Sequence, residues 1–312
     1  MKSNLNWPLN CFLFFFVWQM GFGQQKVDMP QQLWASLAEV SAQNYNVQAL
    51  PIPVEMSFAG ESVPLNHPDV KERLDRELLV NTYWQSNALL IIKRAHKYVP
   101  LIDSILIAEG VPVDFKYLAI IESGLQNVTS PAGAAGFWQF MKTTAKEYGL
   151  EVNANVDERF NLIKATQVAA AYLKDAKELF GSWTLAAASY NAGRTGIKSQ
   201  MNKQEVNSYY DLLLNEETSR YVFRILAFKE LLENTESYGF RYDQEHLYEA
   251  IPTKKVKVDT AVSNFVRFAQ DYGINYKILK IHNPWLRQSH LNNASRKVYY
   301  IEIPKLGYYD RP

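Results

Sequence analysis

The sequence predicts a mainly α fold that ends in a small α+β module. Three features carry this expectation. From residue 69 to residue 234, apolar residues recur at helical spacing in segments separated by glycine and proline. Beyond Gly239 the texture changes to strand, helix, helix, strand. Hydrophobic residues make up 47% of the 312 positions, too many for a disordered chain and enough for one sizeable domain with a smaller one beside it.

Taken in order, residues 1–23 have the layout of a secretory signal peptide: Lys2, an apolar run from Cys11 to Trp18, then Gly21-Phe22-Gly23. A membrane anchor is the second reading, but the run is shorter than the roughly 20 residues that cross a bilayer. Cys11, the single cysteine, stands at the start of the apolar run, whereas a lipid-modified cysteine would follow it. Cleavage near Gly23 would leave neither disulfides nor a thiolate metal site. Residues 24–99 form an expected N-terminal helical arm. It has a helical stripe of Leu33, Leu37 and Val40 between Pro30 and Tyr45, then a stretch broken by Pro51, Pro53 and Pro64. One or two helices follow from Asp69 to Tyr98, carrying Val70, Leu74, Leu78 and Tyr83, then Leu89, Ile92 and Ala95.

Residues 100–237 read as the functional centre. Helices are expected at Pro100 to Glu109, Asp114 to Ser123, Met141 to Tyr148, Leu162 to Phe180, Trp183 to Ala192 and Thr218 to Asn234. Residues 238–312 read as a linker and a βααβ module: strand Lys254 to Val258, helices Val262 to Tyr272 and Tyr276 to His282, strand Val298 to Ile303. The charges nearly cancel, 33 Lys and Arg against 32 Asp and Glu. This argues against nucleic acid or anionic lipid as the main partner and suits a neutral polymer.

Within VDFKYLAIIESG, the residues Phe115, Leu118, Ala119 and Glu122 fall at i, i+3, i+4 and i+7, so Glu122 projects from the face that packs inward. A carboxyl in low polarity favours its neutral form, the state a glycosidase needs to protonate a leaving oxygen near neutral pH. The competing reading is a helix end at Ser123-Gly124 with the glutamate in water. Next comes SPAGAAGFWQFM, where Gly133 and Gly136 permit close backbone approach and Gln139 sits among aromatics. It reads either as a cleft-lining turn or as a loop feeding a core helix.

Three segments decide between these readings: IIESGLQNVTSPAGAAGFWQFMKTTAKEYGL, ASYNAG (Ala188 to Gly193) and EETSRYV (Glu216 to Val222). In order and separation they resemble the lytic transglycosylase domain of the goose-type lysozyme superfamily, over roughly Pro100 to Asn234, and GFWQFM is most similar to the membrane-bound D branch. The resemblance implies a lysozyme-like helical domain acting on peptidoglycan glycan strands, with Glu122 as catalytic acid and base. It implies that Ser130, Gln139 and Met141 line the sugar sites, that Tyr190 and Asn191 belong to the Y-N-A-G motif with the tyrosine facing the glycan, and that Glu217 and Tyr221 support the cleft and the setting of Glu122. DERFN, Asp157 to Asn161, is expected to close a loop rather than to touch substrate.

Most glycosidases use two carboxyl groups. Asp157, Glu158 and Glu217 are present, but none lies in a segment matching a family nucleophile. The resemblance supplies the alternative: the substrate's N-acetyl group assists, and Glu122 acts twice to give a 1,6-anhydromuramyl product, without metal or cofactor. A muramidase that admits water and a binding protein without activity remain the rivals. Lys254 to Pro304 resembles a diverged LysM module, with Asp259-Thr260 where the first helix should start and Asn283 where the second should end. Glycan binding and simple packing on the helical domain are both open for it. The expected setting is export to the periplasm as a monomer, with peripheral association with the outer membrane left open.

Overall fold

The structure is a computed structural model and describes residues 47–309. The expected signal peptide and the helical pattern of Pro30 to Tyr45 lie outside the described residues. Among the described residues no helix is long and apolar enough to cross a membrane.

A short hairpin, β1 (Ser57–Phe58) and β2 (Glu61–Ser62), precedes two helices, α1 (Pro68–Tyr83) and α2 (Gln85–Ala108). The break between them falls at Trp84, whose ψ of 59° leaves the helical region. Val70, Leu74 and Leu78 are buried as the stripe predicts, each fully buried leucine contributing about 2 kcal/mol. On α2 the buried face is Ala88, Ile91 and Ile92, while Leu89 is exposed. Two expectations are corrected here. Pro100 does not start a helix, because α2 runs through it; its ring lacks an N–H, so one turn loses a single hydrogen bond and the helix continues. For the same reason no domain boundary falls at residue 99/100, and the side chains of α1 and α2 belong to the core of the helical body rather than to a separate arm.

The body continues with α3 (Lys116–Ser123), α4 (Lys142–Glu147), α5 (Leu162–Phe180), α6 (Trp183–Ala192), α7 (Arg194–Gln204) and α8 (Glu216–Glu233). The sequence pattern anticipates all of these but α7, in which only Ile197 is buried, so that no apolar stripe marks it. Helix α1 packs on α8, α3 on α8, α2 on α5, and α5 on α6. Ala186, Ala187 and Ala188 are fully buried, which allows α6 into the centre.

That central helix is held at its N-terminus by the hairpin. The Glu61 carboxylate accepts hydrogen bonds from the Trp183 and Thr184 amides (2.6 and 2.9 Å), from the Ser182 and Thr184 hydroxyls (2.8 Å each) and from Lys177 Nζ (3.1 Å). Burial pushes this carboxyl up, but the donors of Thr184, Trp183 and Ser182 outweigh it and hold the pKa down at about 2.

The C-terminal module consists of β3 (Thr253–Val258), α9 (Phe265–Asp271), α10 (Tyr276–His282) and β4 (Tyr299–Pro304), with β3 and β4 antiparallel from Thr253↔Pro304 to Val258↔Tyr299. Asn283 ends α10 and is fully buried. Its amide donates to Leu279 O (2.9 Å) and Glu302 O (2.7 Å) and accepts from the Glu302 amide (2.8 Å), tying helix to strand. The start of the first helix is corrected: Asn264 caps α9, accepting from the Val266 and Arg267 amides, while Asp259 pairs with Lys257.

A carboxyl depressed in the folded state adds stability above its unfolded pKa, and that stability is lost as pH falls. Glu61→Gln should therefore cost on the order of 2 kcal/mol at pH 7, with the difference closing between pH 4.5 and about 2. Urea melts of both proteins across that range check it; a pH-independent difference would contradict the charge-based account.

Candidate active site

Helix α3 delivers Glu122 as the periodicity predicts. Phe115, Leu118 and Ala119 are fully buried, and Glu122 follows on the same face with only part of its surface open to solvent. Gly124, at φ 58°, ends the helix with its amide on Ile120 O. The helix end is therefore built rather than frayed, and the reading of Glu122 as a solvated terminus fails.

The turn from residue 130 to 141 closes over this helix end, and hydrogen bonds from four directions fix its carbonyls. Ser123 Oγ donates to Phe137 O (2.9 Å), and the Tyr190 hydroxyl donates to Trp138 O (2.7 Å). Gln139 Nε2 donates to Gly136 O (2.7 Å) and Val128 O (3.1 Å), and Arg159 Nη1 donates to Gly133 O (2.9 Å) and Phe140 O (3.0 Å). Trp138 is fully buried, with its indole N–H on Thr166 Oγ1 (2.9 Å). Gly136, at φ 81°, lies so close to Arg159 that a Cβ would stand 1.9 Å from its carbonyl oxygen. Close approach is thus required at Gly136; Gly133, at φ 87° with open space around it, serves the left-handed turn instead.

Tyr221, on α8, donates its hydroxyl to Glu122 Oε1. Burial raises the Glu122 pKa to about 7; the Tyr221 hydrogen bond and the Arg224 guanidinium pull it down, and the charge of Glu217 pushes it up. Arg224 is itself fixed by a hydrogen bond to Ile121 O (3.0 Å). Burial and the charge of Glu122 hold Tyr190 and Tyr221 well above the usual phenol range, so both remain donors.

The remaining expected residues fall around this centre. Ser130 Oγ accepts from the Ala134 amide (3.1 Å) and so closes the turn. Gln139 adopts φ 46°, with its amide nitrogen committed to the turn. Met141 is exposed at the N-terminus of α4. Asn191 links α6 to α8, donating to Glu217 Oε1 (3.0 Å) and accepting from Thr218 Oγ1 (2.9 Å). The phenol that reaches the glutamate is that of Tyr221, since that of Tyr190 is held by Trp138 O. Two contributors were not assigned roles from sequence, Ser123 and Arg224. A serine on a buried helix turn needs a partner, and that requirement is its only sequence signal.

The other carboxylates have structural partners. Asp157 and Arg159 form a buried ion pair (2.7 Å, with Nε to Oδ1 at 3.0 Å). Glu158 is buried against Lys164 and accepts from the Glu151 amide (2.8 Å). The DERFN segment thus closes a loop, as expected. Glu217 is exposed and held by Asn191.

Residues 108–212 match the family model described as the transglycosylase SLT domain. The chain carries a transglycosylase SLT domain. Residues 254–307 match a second model, the soluble lytic transglycosylase C-terminal LysM-like domain. The chain is homologous to the membrane-bound lytic murein transglycosylase D of Escherichia coli strain K12, with 27% identity over 258 residues covering 80% of this chain and 55% of that protein. The protein of the same name in E. coli O6:H1 gives the same figures. The chain therefore spans about half the length of the curated relatives it matches. The SLT match contains Glu122, the turn and the Y-N-A-G segment; Tyr221 and Glu217 lie C-terminal to it, on α8.

A carboxyl whose pKa is raised in the folded state costs nothing below its unfolded value and destabilises progressively above it. Glu122→Gln keeps an oxygen for Tyr221 and removes the charge. It should stabilise the fold at pH 8 by on the order of 2 kcal/mol, with no gain at pH 4, the change falling between pH 4.5 and about 7. Thermal melts at the two pH values check this; an equal gain at both would remove burial of charge as the cause.

Proposed function

We propose that the chain is a peptidoglycan lytic transglycosylase that cleaves the β-1,4 bond between N-acetylmuramic acid and N-acetylglucosamine. The observation that carries this reading is Glu122, whose buried carboxyl has a pKa raised to about 7 and accepts a hydrogen bond from Tyr221. Such a group is protonated at neutral pH yet able to give its proton up. The SLT match and the homology to lytic murein transglycosylases support the same reading.

Glu122 protonates the bridging oxygen as the muramyl C1–O bond breaks, and the carbonyl oxygen of the substrate's own N-acetyl group bonds to C1. The resulting Glu122 carboxylate then takes the proton from the muramyl C6 hydroxyl. O6 bonds to C1, the N-acetyl oxygen leaves it, and a 1,6-anhydro ring closes without consuming water. Substrate assistance is favoured because Asp157 and Glu158 are engaged with Arg159 and Lys164, and Glu217 with Asn191. The C6 hydroxyl belongs to the same sugar, which gives it a large effective concentration over an external nucleophile. In this reading Ser130, Gln139 and Met141 border the sugar sites, Tyr190 and Asn191 line the cleft, and Glu217 and Tyr221 support it. The LysM-like module adds a second contact to the glycan. The homologue's description as membrane-bound fits a periplasmic setting for this chain, beside the outer membrane.

Digestion of purified sacculi with mass analysis tests the reading. Muramyl products one water lighter than those of a muramidase are expected, with cleavage falling as pH rises through about 7. Glu122→Gln should lose at least a thousandfold of this activity while remaining folded. Near-normal cleavage by that variant would overturn the assignment, and reducing-end muramyl products would point to the water-admitting rival.

A further inference from the structure

The C-terminal module does not hang from the helical body by a linker. It is docked onto residues 151–160, the stretch that carries Arg159. Val156 pairs with Leu286 as an isolated bridge; the Asp157 amide donates to Trp285 O (2.9 Å) and the Arg287 amide to Asn155 O (2.8 Å). Asn155 Oδ1 accepts from the Asn292 amide, and the Arg287 guanidinium lies 4.2 Å from the Phe160 ring centroid. Glu151 takes Lys297 Nζ (2.5 Å) from the segment before β4 and the Tyr299 hydroxyl (2.9 Å) from β4 itself. The module's own apolar core runs without interruption into Ala135, Val156 and Phe160 of the helical body.

The far side of this loop grips the active-site turn. Asp157 uses both carboxylate oxygens to orient the Arg159 guanidinium. The free end of that guanidinium holds the carbonyls of Gly133 and Phe140, and the Arg159 backbone oxygen is the atom against which Gly136 is pressed. Between those two carbonyls lie Phe137 O and Trp138 O, held by Ser123 and Tyr190 from the side of Glu122. The turn is therefore held from the side of Glu122 by Ser123 and Tyr190, and from the other side by an arginine on the loop that the module contacts.

We infer that Arg159 is a positioning residue through which the docked C-terminal module fixes the active-site turn over Glu122, so that the module governs the chemical step and not only attachment to glycan. The inference rests on the transglycosylase reading for its activity readout and on geometry alone for its exchange readout. A module acting only as a tether would matter for sacculi and be irrelevant to a short soluble glycan. A module acting as a brace matters equally for both, because the loss arises at the turn.

The test uses the full chain with Arg159→Lys, which keeps the charge but loses the fork, and with the seam variant Asn155→Ala/Arg287→Ala, which leaves Arg159 in place. Amide hydrogen exchange is expected to quicken at least tenfold at residues 133–140 in both variants and to stay at wild-type rates in α8. On a short soluble muroglycan, kcat is expected to fall at least tenfold with KM changed by less than threefold. The pH above which activity falls should move down, because a loosened turn lets water reach Glu122. Simple loss of folded protein would lower the rate without moving that pH. Wild-type exchange at residues 133–140 in the seam variant overturns the inference, as does an unchanged kcat on the soluble substrate. Faster exchange in a protein whose wild type yields no anhydro product would instead overturn the functional reading and leave the brace standing.

Discussion

The hydrogen-bonding demand of one irregular stretch of backbone organises this molecule. The middle of the turn 130–141, residues 135–140, runs through largely buried surroundings outside any helix or named strand, and buried backbone polar groups without partners are costly. Five of the turn's carbonyls are met by side chains: Phe137 O by Ser123 from α3, Trp138 O by Tyr190 from α6, Gly133 O and Phe140 O by Arg159 from the loop before α5, and Gly136 O by Gln139 from the turn itself. The loop carrying Arg159 must in turn be held, and Asp157 and the module hold it. Much of the polar side-chain chemistry near the site thus serves to keep one loop in one shape.

This arrangement explains how a carboxyl is kept near neutrality at the mouth of a helix. Taken alone, Tyr221 and Arg224 would make Glu122 an ordinary ionised glutamate. Burial by the closed turn and the surrounding helices outweighs them, and Glu217 adds in the same direction. The opposite balance is struck at Glu61, where burial is also present but a helix N-terminus and two hydroxyls overwhelm it. The two glutamates are driven in opposite directions because one meets a single phenol and a guanidinium at a distance, and the other accepts from five donors, Lys177 among them.

The sequence showed helices with strong apolar stripes, and α5, α6 and α10 begin and end where their pattern does, because Asn161, Ser182 and Asn275 cap their starts and glycine or asparagine closes their ends. It did not show α7, which buries almost nothing, or the continuity of α2 through Pro100, where tertiary packing overrides a local breaker. Glu122 was legible as an apolar-face carboxylate, but its partner Tyr221, nearly a hundred residues away, was reached only through the family motif. The reach of Arg159 across to Gly133 and Phe140 depends on how loops close in three dimensions, which no periodicity encodes.

The anchoring of α6 by Glu61 bears on how this protein is divided. The helix that carries Tyr190 and Asn191 finds the partner for its first two amides in a hairpin more than a hundred residues upstream, and Tyr221 reaches Glu122 from a helix downstream of the SLT match. The stretch matched by the SLT model is therefore smaller than the unit that folds. A fragment cut to residues 108–212, or a chimera exchanging only that stretch with a relative, would bare the N-terminal amides of α6 and leave the glutamate without its phenol. In evolutionary terms, the hairpin, α8, the loop before α5 and the C-terminal module docked on that loop must change in step with the turn, and recombination points between relatives should fall outside residues 57–304.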